Sequence, residues 1–507
     1  MESLFEQYSS ITQPKITQVT GSADGKTWAS LDQLLLVLPS KTPPRLWRDL
    51  PEGASLKALM RKRQPGNVPS AMTRLANKRQ TAVRIGTIDA SCSTFELLTF
   101  ARKMIAATRS EKAGTLGIQV AGFSTDDEER LVSGLAAAAL AAAFPLPAYK
   151  SKPAEEAIGR IRLVGLSARI DLGRVQAEAE GNDIARWLTA HPPNKLDAVA
   201  YSDFLHSLAK REGWQFKRYG TTQLEKLGAG AFLAVAQGND NDSASIVRLS
   251  YRPGAKGAKP TLALVGKGII FDTGGTNLKP FNSMLDMHID MGGSAVAVGT
   301  LLSLVRNGYD EPVDCWLAIT ENRTGPTAYK SQDVVKALSG KTIQTIHTDA
   351  EGRMALADTL TMASRENPAL IIDYATLTGA CMNAVTTRYS GVFTNRPKLH
   401  PVLKRGGRHS GERVWPFPIG KEYLEELRSD TADIRQCAID AGGDHIFAAT
   451  FLAEFIENDV PWVHVDLSAC KRKGGLAHIP TDITGFGVRY SMNLIYEKAI
   501  VQVVDEG

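Results

Sequence analysis

Apolar and polar residues alternate along the first third of the chain in short strand-like and longer helix-like stretches. Continuous apolar runs predict strands at Gln33 to Leu38 and Thr81 to Ile88, and 3.6-residue periodicity predicts helices at Phe95 to Arg109 and Asp126 to Ala143. Ser124 or Thr125 is the expected N-cap of the second helix, because such hydroxyls accept hydrogen bonds from the first free N–H groups. Residues 1–170 are therefore predicted to form a smaller N-terminal α/β domain.

A second alternating region begins after a proline turn. A helix from about Leu172 to Thr189 ends at His191-Pro192-Pro193-Asn194, and residues 171–195 are predicted to connect two domains. Beyond it we predict strands at Trp214 to Arg218, Ser245 to Tyr251, Thr261 to Gly266, Val313 to Thr320 and Ala369 to Asp373, and helices at Val199 to Glu212, Gly293 to Arg306 and Arg353 to Arg365. This order predicts a doubly wound mixed sheet with helices on both faces over residues 196–507. Ligands of such sheets bind beyond the carboxyl ends of the strands, and Lys267 and Thr376 follow two predicted ends.

Composition narrows the class of protein. The 507 residues suggest two or three domains, and 43% hydrophobic with 22% charged residues is usual for a soluble globular protein. A net charge of +5 is too weak to indicate a nucleic-acid partner. The five cysteines form no C-x-x-C pair, the start has no signal-peptide pattern, and the apolar stretch Leu131 to Phe144 is too short to span a bilayer. We therefore expect a cytoplasmic protein without membrane attachment.

The segment from His347 to Arg353 concentrates charge, with Asp349, Glu351 and Arg353 at alternate positions. In an extended segment, residues two apart point the same way, so these groups are expected to face one spot. Desolvated carboxylates need a partner, and a multivalent cation is suitable. A solvated helix N-terminus, where acids are also favoured, is the alternative.

Three further segments carry ionic or glycine-rich motifs in a fixed order around it. They run from Val265 to Lys279-Pro280, from Asp286 to Gly293, and from Asp373 to Ala380. Together the four blocks resemble the leucyl aminopeptidase family of dinuclear-metal cytosolic peptidases, over roughly residues 180–490 and most strongly over 262–381. Two departures are His347, where the family usually has asparagine, and Tyr329 to Asp333, where it usually has Arg-Pro-Gly-Asp.

The resemblance implies a site for two divalent metal ions, Mn2+ or Zn2+, with Mg2+ as an alternative. One ion would take Asp272, Asp349 and Glu351, and the other Lys267, Asp272, Asp290 and Glu351. Lys267 would bind as a neutral amine, which neighbouring cations favour by lowering its pKa. His347 and His288 are not needed as ligands.

The resemblance also implies catalytic roles. A water or hydroxide bridging the two metals would attack the scissile amide, with Lys279 polarising the carbonyl and a bicarbonate on Arg353 acting as general base. Met287, Thr376, Leu377 and Gly379 match positions that line the substrate. The implied activity is removal of leucine-like N-terminal residues from peptides by a homohexamer.

Alternative interpretations exist for each motif. The glycine pairs fit ordinary turns, Lys279 a surface lysine, and Asp290 a helix N-cap. The basic stretch from Lys57 to Arg84 fits a solvated face best, although some family members bind DNA and duplex binding stays an alternative. A two-metal phosphoesterase and a non-catalytic scaffold are weaker competitors. The order of the four blocks favours the aminopeptidase, because the separate alternatives predict no relation among them.

Overall fold

The computed structural model describes residues 3–62, 70–106, 114–151, 158–239, 242–254, 257–440, 442–497 and 500–501. These residues form two compact units. The smaller unit falls within Ser10–Ala179 and Lys473–Asp482, and the larger within Met1–Ser9, Glu180–Arg472 and Ile483–Gly507. Residues 107–109 of the predicted helix Phe95 to Arg109, and Arg63 of the basic stretch, lie outside the described residues.

Strands β1 to β6 span Lys15–Thr20, Gln33–Pro39, Ser70–Arg74, Ala82–Ile88, Thr115–Val120 and Arg160–Leu166. Strands β7 to β17 span Gln215–Gly220, Ser245–Tyr251, Leu262–Asp272, Val313–Asn322, Val334–Lys336, Thr342–Gln344, Leu370–Ala375, Ser390–Thr394, Val414–Pro416, Ile434–Arg435 and Trp462–Asp466. Helices α1 to α17 span Leu4–Ser9, Gly25–Ala29, Pro44–Asp49, Gly53–Arg61, Thr94–Ala106, Thr125–Ala143, Gly173–Thr189, Ala198–Glu212, Thr221–Leu227, Gly230–Ala236, Phe281–Met284, Gly292–Arg306, Glu351–Arg365, Gly379–Val385, His400–Ser410, Asp444–Ala453 and Val488–Met492.

The smaller unit is built on a six-stranded sheet in the order β1-β6-β5-β2-β4-β3, parallel except for β3. Alternate residues of β2 enter two separate cores, with Leu35 and Val37 in one and Leu34 and Leu36 in the other. A strand buried on both faces reads as a continuous apolar run, which is why β2 was predictable. The Ser124 side chain accepts a hydrogen bond from the N–H of Asp127, as expected of the N-cap of α6.

The larger unit is built on an eight-stranded mixed sheet in the order β15-β14-β17-β13-β9-β10-β8-β7. Strand β9 pairs in parallel with both β10 and β13, so three carboxyl ends lie side by side. Helix α12 packs against one face of β9, where Gly266 meets Ser294. Helix α13 packs against the other, where its Met354 shares a core with Val265. The α/β architecture with helices on both faces is confirmed.

Strand β9 is longer than the apolar run predicts. It continues past Gly266 to Asp272 because β10 runs beside it, with Lys267 opposite Ala318 and Asp272 opposite Asn322. Lys267 therefore lies within the strand rather than beyond its end, which corrects the sequence-based prediction. Thr376 does follow the end of β13 directly.

One described stretch, Met287–Arg306, is long and apolar enough to cross a membrane by length and composition. In the structure most of this stretch is buried within the fold, as is also found for a core helix of a globular protein.

Candidate metal centre

The carboxyl ends of β9, β10 and β13 place polar side chains at one edge of the large sheet. Asp272 is the last residue of β9, and Asn322, at the end of β10, is its register partner. Asp290 lies in the short 3-10 helix Met287–Met291, and Glu351 opens α13. Residues far apart in sequence thus meet at the edge where α/β sheets bind ligands.

Three buried carboxylates meet there. One oxygen each from Asp272, Asp290 and Glu351 lies within 4.8 Å of the others. All three side chains are almost fully buried. Like charges so close are unfavourable without a cation, so the cluster requires positive partners.

Two lysines supply positive charge to the cluster. Lys267 Nζ lies 2.8 Å from Asp290 Oδ2 and 2.9 Å from Glu351 Oε1, and it donates to the carbonyl of Thr376 at 3.0 Å. Lys279 Nζ lies 2.8 Å from Asp272 Oδ2 and 2.5 Å from Asp349 Oδ1. Asp349 therefore joins the cluster through Lys279 and is less buried than the other three carboxylates.

The cluster holds more negative than positive charge. Burial, reinforced by the charge of Glu351, raises the pKa of Asp272, and burial raises the pKa of Asp290 well above its usual value despite Lys267. Burial lowers the pKa of Lys267, but Asp290 and Glu351 outweigh it and the pKa lies above its usual value. Four carboxylates face two ammonium groups, so further positive charge would stabilise them.

The donor atoms fit divalent cations. Asp290 Oδ2 and Asp349 Oδ1 each lie beside a lysine ammonium, and a carboxylate oxygen has a further lone pair that can bind a cation. Hard and borderline divalent cations prefer carboxylate oxygens, and a neutral amine is compatible with the borderline ones. No histidine belongs to this group among the described residues.

Gly352 is required for the close approach of Lys267. A Cβ added at this position would lie 2.6 Å from both Cε and Nζ of Lys267. That separation is shorter than non-bonded carbon atoms accept, so the lysine amine would be displaced from Glu351.

Several residues that sequence reasoning missed hold the carboxylates in place. The Asn322 side-chain amide donates to Asp272 Oδ1 at 2.7 Å and to the carbonyl of Thr348 at 3.0 Å. The Thr348 hydroxyl donates to the carbonyl of Gly274 at 2.6 Å, and the Tyr329 hydroxyl donates to the carbonyl of Thr348 at 2.8 Å. The only sequence signal was the place of Asn322 two residues beyond the predicted strand Val313 to Thr320.

Gln436 fixes the loop that carries Asp349. Its Oε1 accepts the N–H groups of Ile346 and His347, each at 3.1 Å, and its Nε2 donates to the carbonyl of Ala350 at 3.0 Å. Gln436 is fully buried. Nothing in the sequence indicated this contact, because the partners are separated by more than eighty residues.

The Arg353 side chain does not share the direction expected for Asp349 and Glu351. The segment is helical from Glu351 onward, and residues two apart on a helix are rotated by roughly 200°. The Arg353 guanidinium instead donates to Asp444 Oδ2 at 2.6 Å and to the carbonyl of Gln436 at 3.3 Å. The expectation of a shared direction, based on extended geometry, thus does not describe Arg353.

Of the residues expected to line the substrate, Thr376 contacts this cluster directly. The Thr376 hydroxyl donates to Asp290 Oδ1 at 2.8 Å. The Leu377 N–H donates to Asp466 Oδ1 at 3.3 Å, and its side chain is partly buried. Met287 shares the short helix of Asp290, and Gly379 is exposed at the start of α14.

Comparison with known proteins shows the family to which the chain is similar. Residues 183–492 match the model of the cytosol aminopeptidase family, catalytic domain. A probable cytosol aminopeptidase of Prochlorococcus marinus is 38% identical over 341 residues, which are 66% of this chain and 68% of the relative. One from Synechococcus sp. is 35% identical over 410 residues, covering 78% of this chain and 82% of the relative.

Solved structures agree in fold. Leucyl aminopeptidase from Leishmania major, in complex with actinonin, superposes with a TM-score of 0.80 at 24% identity, covering 97% of this chain and 96% of that one. The bottromycin maturation enzyme BotP, in complex with Mn, superposes with a TM-score of 0.79 at 28% identity, covering 93% and 100%. This chain belongs to the cytosol aminopeptidase family, whose members are metal-dependent peptidases that act as aminopeptidases.

Proposed function

We propose that this protein releases N-terminal residues, leucine-like ones preferred, from peptides, using two divalent metal ions. The proposed ligands are Lys267, Asp272, Asp290, Asp349 and Glu351. The observation that supports this most strongly is the convergence of all five side chains with Lys279 in one cluster. A surface lysine, a helix cap and isolated turns would have no reason to converge.

The chemistry of the metals is that of other two-metal hydrolases. When bound, the two ions would supply a hydroxide nucleophile at neutral pH and bind the free α-amine of the substrate, which restricts cleavage to N-termini. Mn2+ is the first ion to test because BotP is in complex with Mn, followed by Zn2+ and Mg2+.

The lysines are proposed to have separate roles. Cations at Asp272 and Asp349 would replace Lys279 as their partner, which frees its ammonium to donate to the scissile carbonyl oxygen. Lys267, held between Asp290 and Glu351, would lose its proton and bind through its amine. Thr376 would hold Asp290, and the positions Met287, Leu377 and Gly379 would contact the first residue of the peptide.

Bicarbonate on Arg353 does not fit the side chains as they stand. A carboxylate of the chain, that of Asp444, already lies on the guanidinium. We therefore derive no step through bicarbonate. The homohexamer, the cytoplasmic location and the division into residues 1–170, 171–195 and 196–507 stay parts of the proposal.

The proposal is tested by hydrolysis of a leucine-coupled chromogenic amide by metal-stripped protein resupplied with Mn2+ or Zn2+. The variants are Asp349→Ala and Lys279→Ala, with the exposed Asp203→Ala and Lys210→Ala as controls. We expect metal-dependent release that both site variants abolish, that both controls retain, and that acetylation of the substrate amine prevents. If folded, metal-loaded protein hydrolyses no amide in a panel of amino-acid amides, the proposal is wrong, and duplex-DNA binding across a salt series is tested next.

A further inference from the structure

Arg353 is a buried cation whose anionic partner comes from a distant part of the chain. Its side chain is 2% exposed, and Nη2 lies 2.6 Å from Asp444 Oδ2. A buried guanidinium is costly without an anion, and a charge-assisted hydrogen bond of this length is among the strongest in proteins. Arginine stays protonated in proteins, so its contact with the Asp444 carboxylate is an ion pair.

Asp444 is well placed to serve as that anion. It is the first residue of the ten-residue helix α16, where the helix dipole favours a negative charge. The chain reaches it through Gly443, whose φ of 84° lies in the left-handed region. Burial raises the pKa of Asp444, but Arg353 outweighs it and holds the pKa below its usual value.

The Asp444 carboxylate also remains open to solvent. Its side chain is 40% exposed, although the guanidinium beneath it is buried. A bicarbonate approaching Arg353 would meet a like charge on the same cation. The tethered carboxylate also has a high effective concentration compared with a free anion.

We propose that Asp444 is the resident anion of Arg353 and takes the place that the family resemblance gives to bicarbonate. This inference rests on the proposed function and deepens it, because the anion beside the catalytic cluster then belongs to the chain. The protein is expected to need no exogenous bicarbonate. An exchange of Asp444 for a neutral residue opens the site to that anion.

A competing interpretation treats the pair as a structural ion pair beside a separate bicarbonate site. Nε of Arg353 makes no hydrogen bond within the described residues, and in that interpretation it would donate to the bicarbonate. That interpretation predicts bicarbonate binding by the wild type. It also predicts no gain of binding when Asp444 is replaced.

The test measures binding of 13C-bicarbonate to the zinc-loaded protein. Binding is detected as NMR line broadening in buffer depleted of carbon dioxide. The samples are the wild type, Asp444→Ala, the near-isosteric Asp444→Asn, and the exposed Asp440→Ala as a control. We expect no binding by the wild type or the control, and binding by both Asp444 variants. Wild-type binding of one equivalent, or no binding by folded Asp444 variants, would overturn the inference.

Activity provides a second readout. Bicarbonate should change wild-type turnover by less than about two-fold, and it should raise turnover of Asp444→Ala by at least about 10-fold, the usual scale for a partner of a metal-site residue. Stimulation of wild-type turnover by bicarbonate beyond that limit would overturn the inference. Binding is measured without turnover, so a protein inactive on every amide refutes the proposed function while the anion test still gives its own result.

Discussion

At the scale of single residues, the centre depends on groups brought closer than free side chains would come. Lys267 reaches Glu351 only because Gly352 has no side chain. The carboxylates and lysines were predictable because they form motifs along the sequence. Asn322 and Gln436 were not, since each acts on a partner separated by tens of residues, a relation that only the folded sheet creates.

Gly352→Ala should disturb the centre without unfolding the chain. Alanine favours a helix over glycine, but its Cβ would displace the Lys267 amine. We expect metal affinity and kcat/KM to fall at least about 10-fold, measured by calorimetry and amide hydrolysis. Gly25→Ala, which meets no neighbour within 4 Å, is the control. Unchanged metal affinity in Gly352→Ala would show that Lys267 needs no such space.

Asn322→Asp should weaken the centre by a different route. The change replaces the donor to Asp272 and Thr348 with another acceptor, and it adds a negative charge to an over-charged cluster. We expect a fall of about 10- to 100-fold in activity at saturating metal, because Asp272 is no longer held in position. Wild-type activity in this variant would exclude a positioning role for Asn322.

At the scale of elements, apolar patterns predicted where strands and helices lie but not where they stop. The run ending at Gly266 gave no sign of the residues that β9 adds beside β10. The end of α7 was easier to predict, because the Pro192-Pro193 pair follows its last residue, Thr189.

His191, just after α7, should make the fold sensitive to acid. Its ring lies 4.1 Å from that of Trp187, between centroids, and burial lowers the pKa of His191 to about 4. A lowered histidine pKa means that its contribution is fully present above about pH 6.5 and is lost as pH falls through about 4. Over that pH range the free energy of unfolding of the wild type should fall by about 3 kcal/mol relative to that of His191→Phe. The measurement is denaturant unfolding of both proteins. If the difference in free energy of unfolding between the two proteins did not change with pH, His191 would not have a lowered pKa in the fold.

At the scale of the whole molecule, composition and alternation predicted two α/β parts, and each described unit has its own sheet. The order of strands in the larger sheet was not predictable, because pairings such as β14 antiparallel to β17 join segments about seventy residues apart. That order nevertheless decides function, since it sets β9 between β10 and β13.

Metal should stabilise the part of the molecule that carries the carboxylates. A ligand at 100 times its Kd stabilises the folded state by about 2.7 kcal/mol. On addition of Mn2+ to stripped protein, hydrogen exchange should slow first in β9, the short helix Met287–Met291 and the start of α13. Exchange that stays unchanged in these segments at saturating metal would place the ions elsewhere.

The most direct test of the central claim is a titration of the metal-stripped wild type with Mn2+, with bound metal and leucine-amide hydrolysis followed together. The ligand set predicts that two equivalents bind per chain and that full activity requires both. Saturation of activity at one equivalent, or full activity of the stripped protein, would contradict the two-metal account.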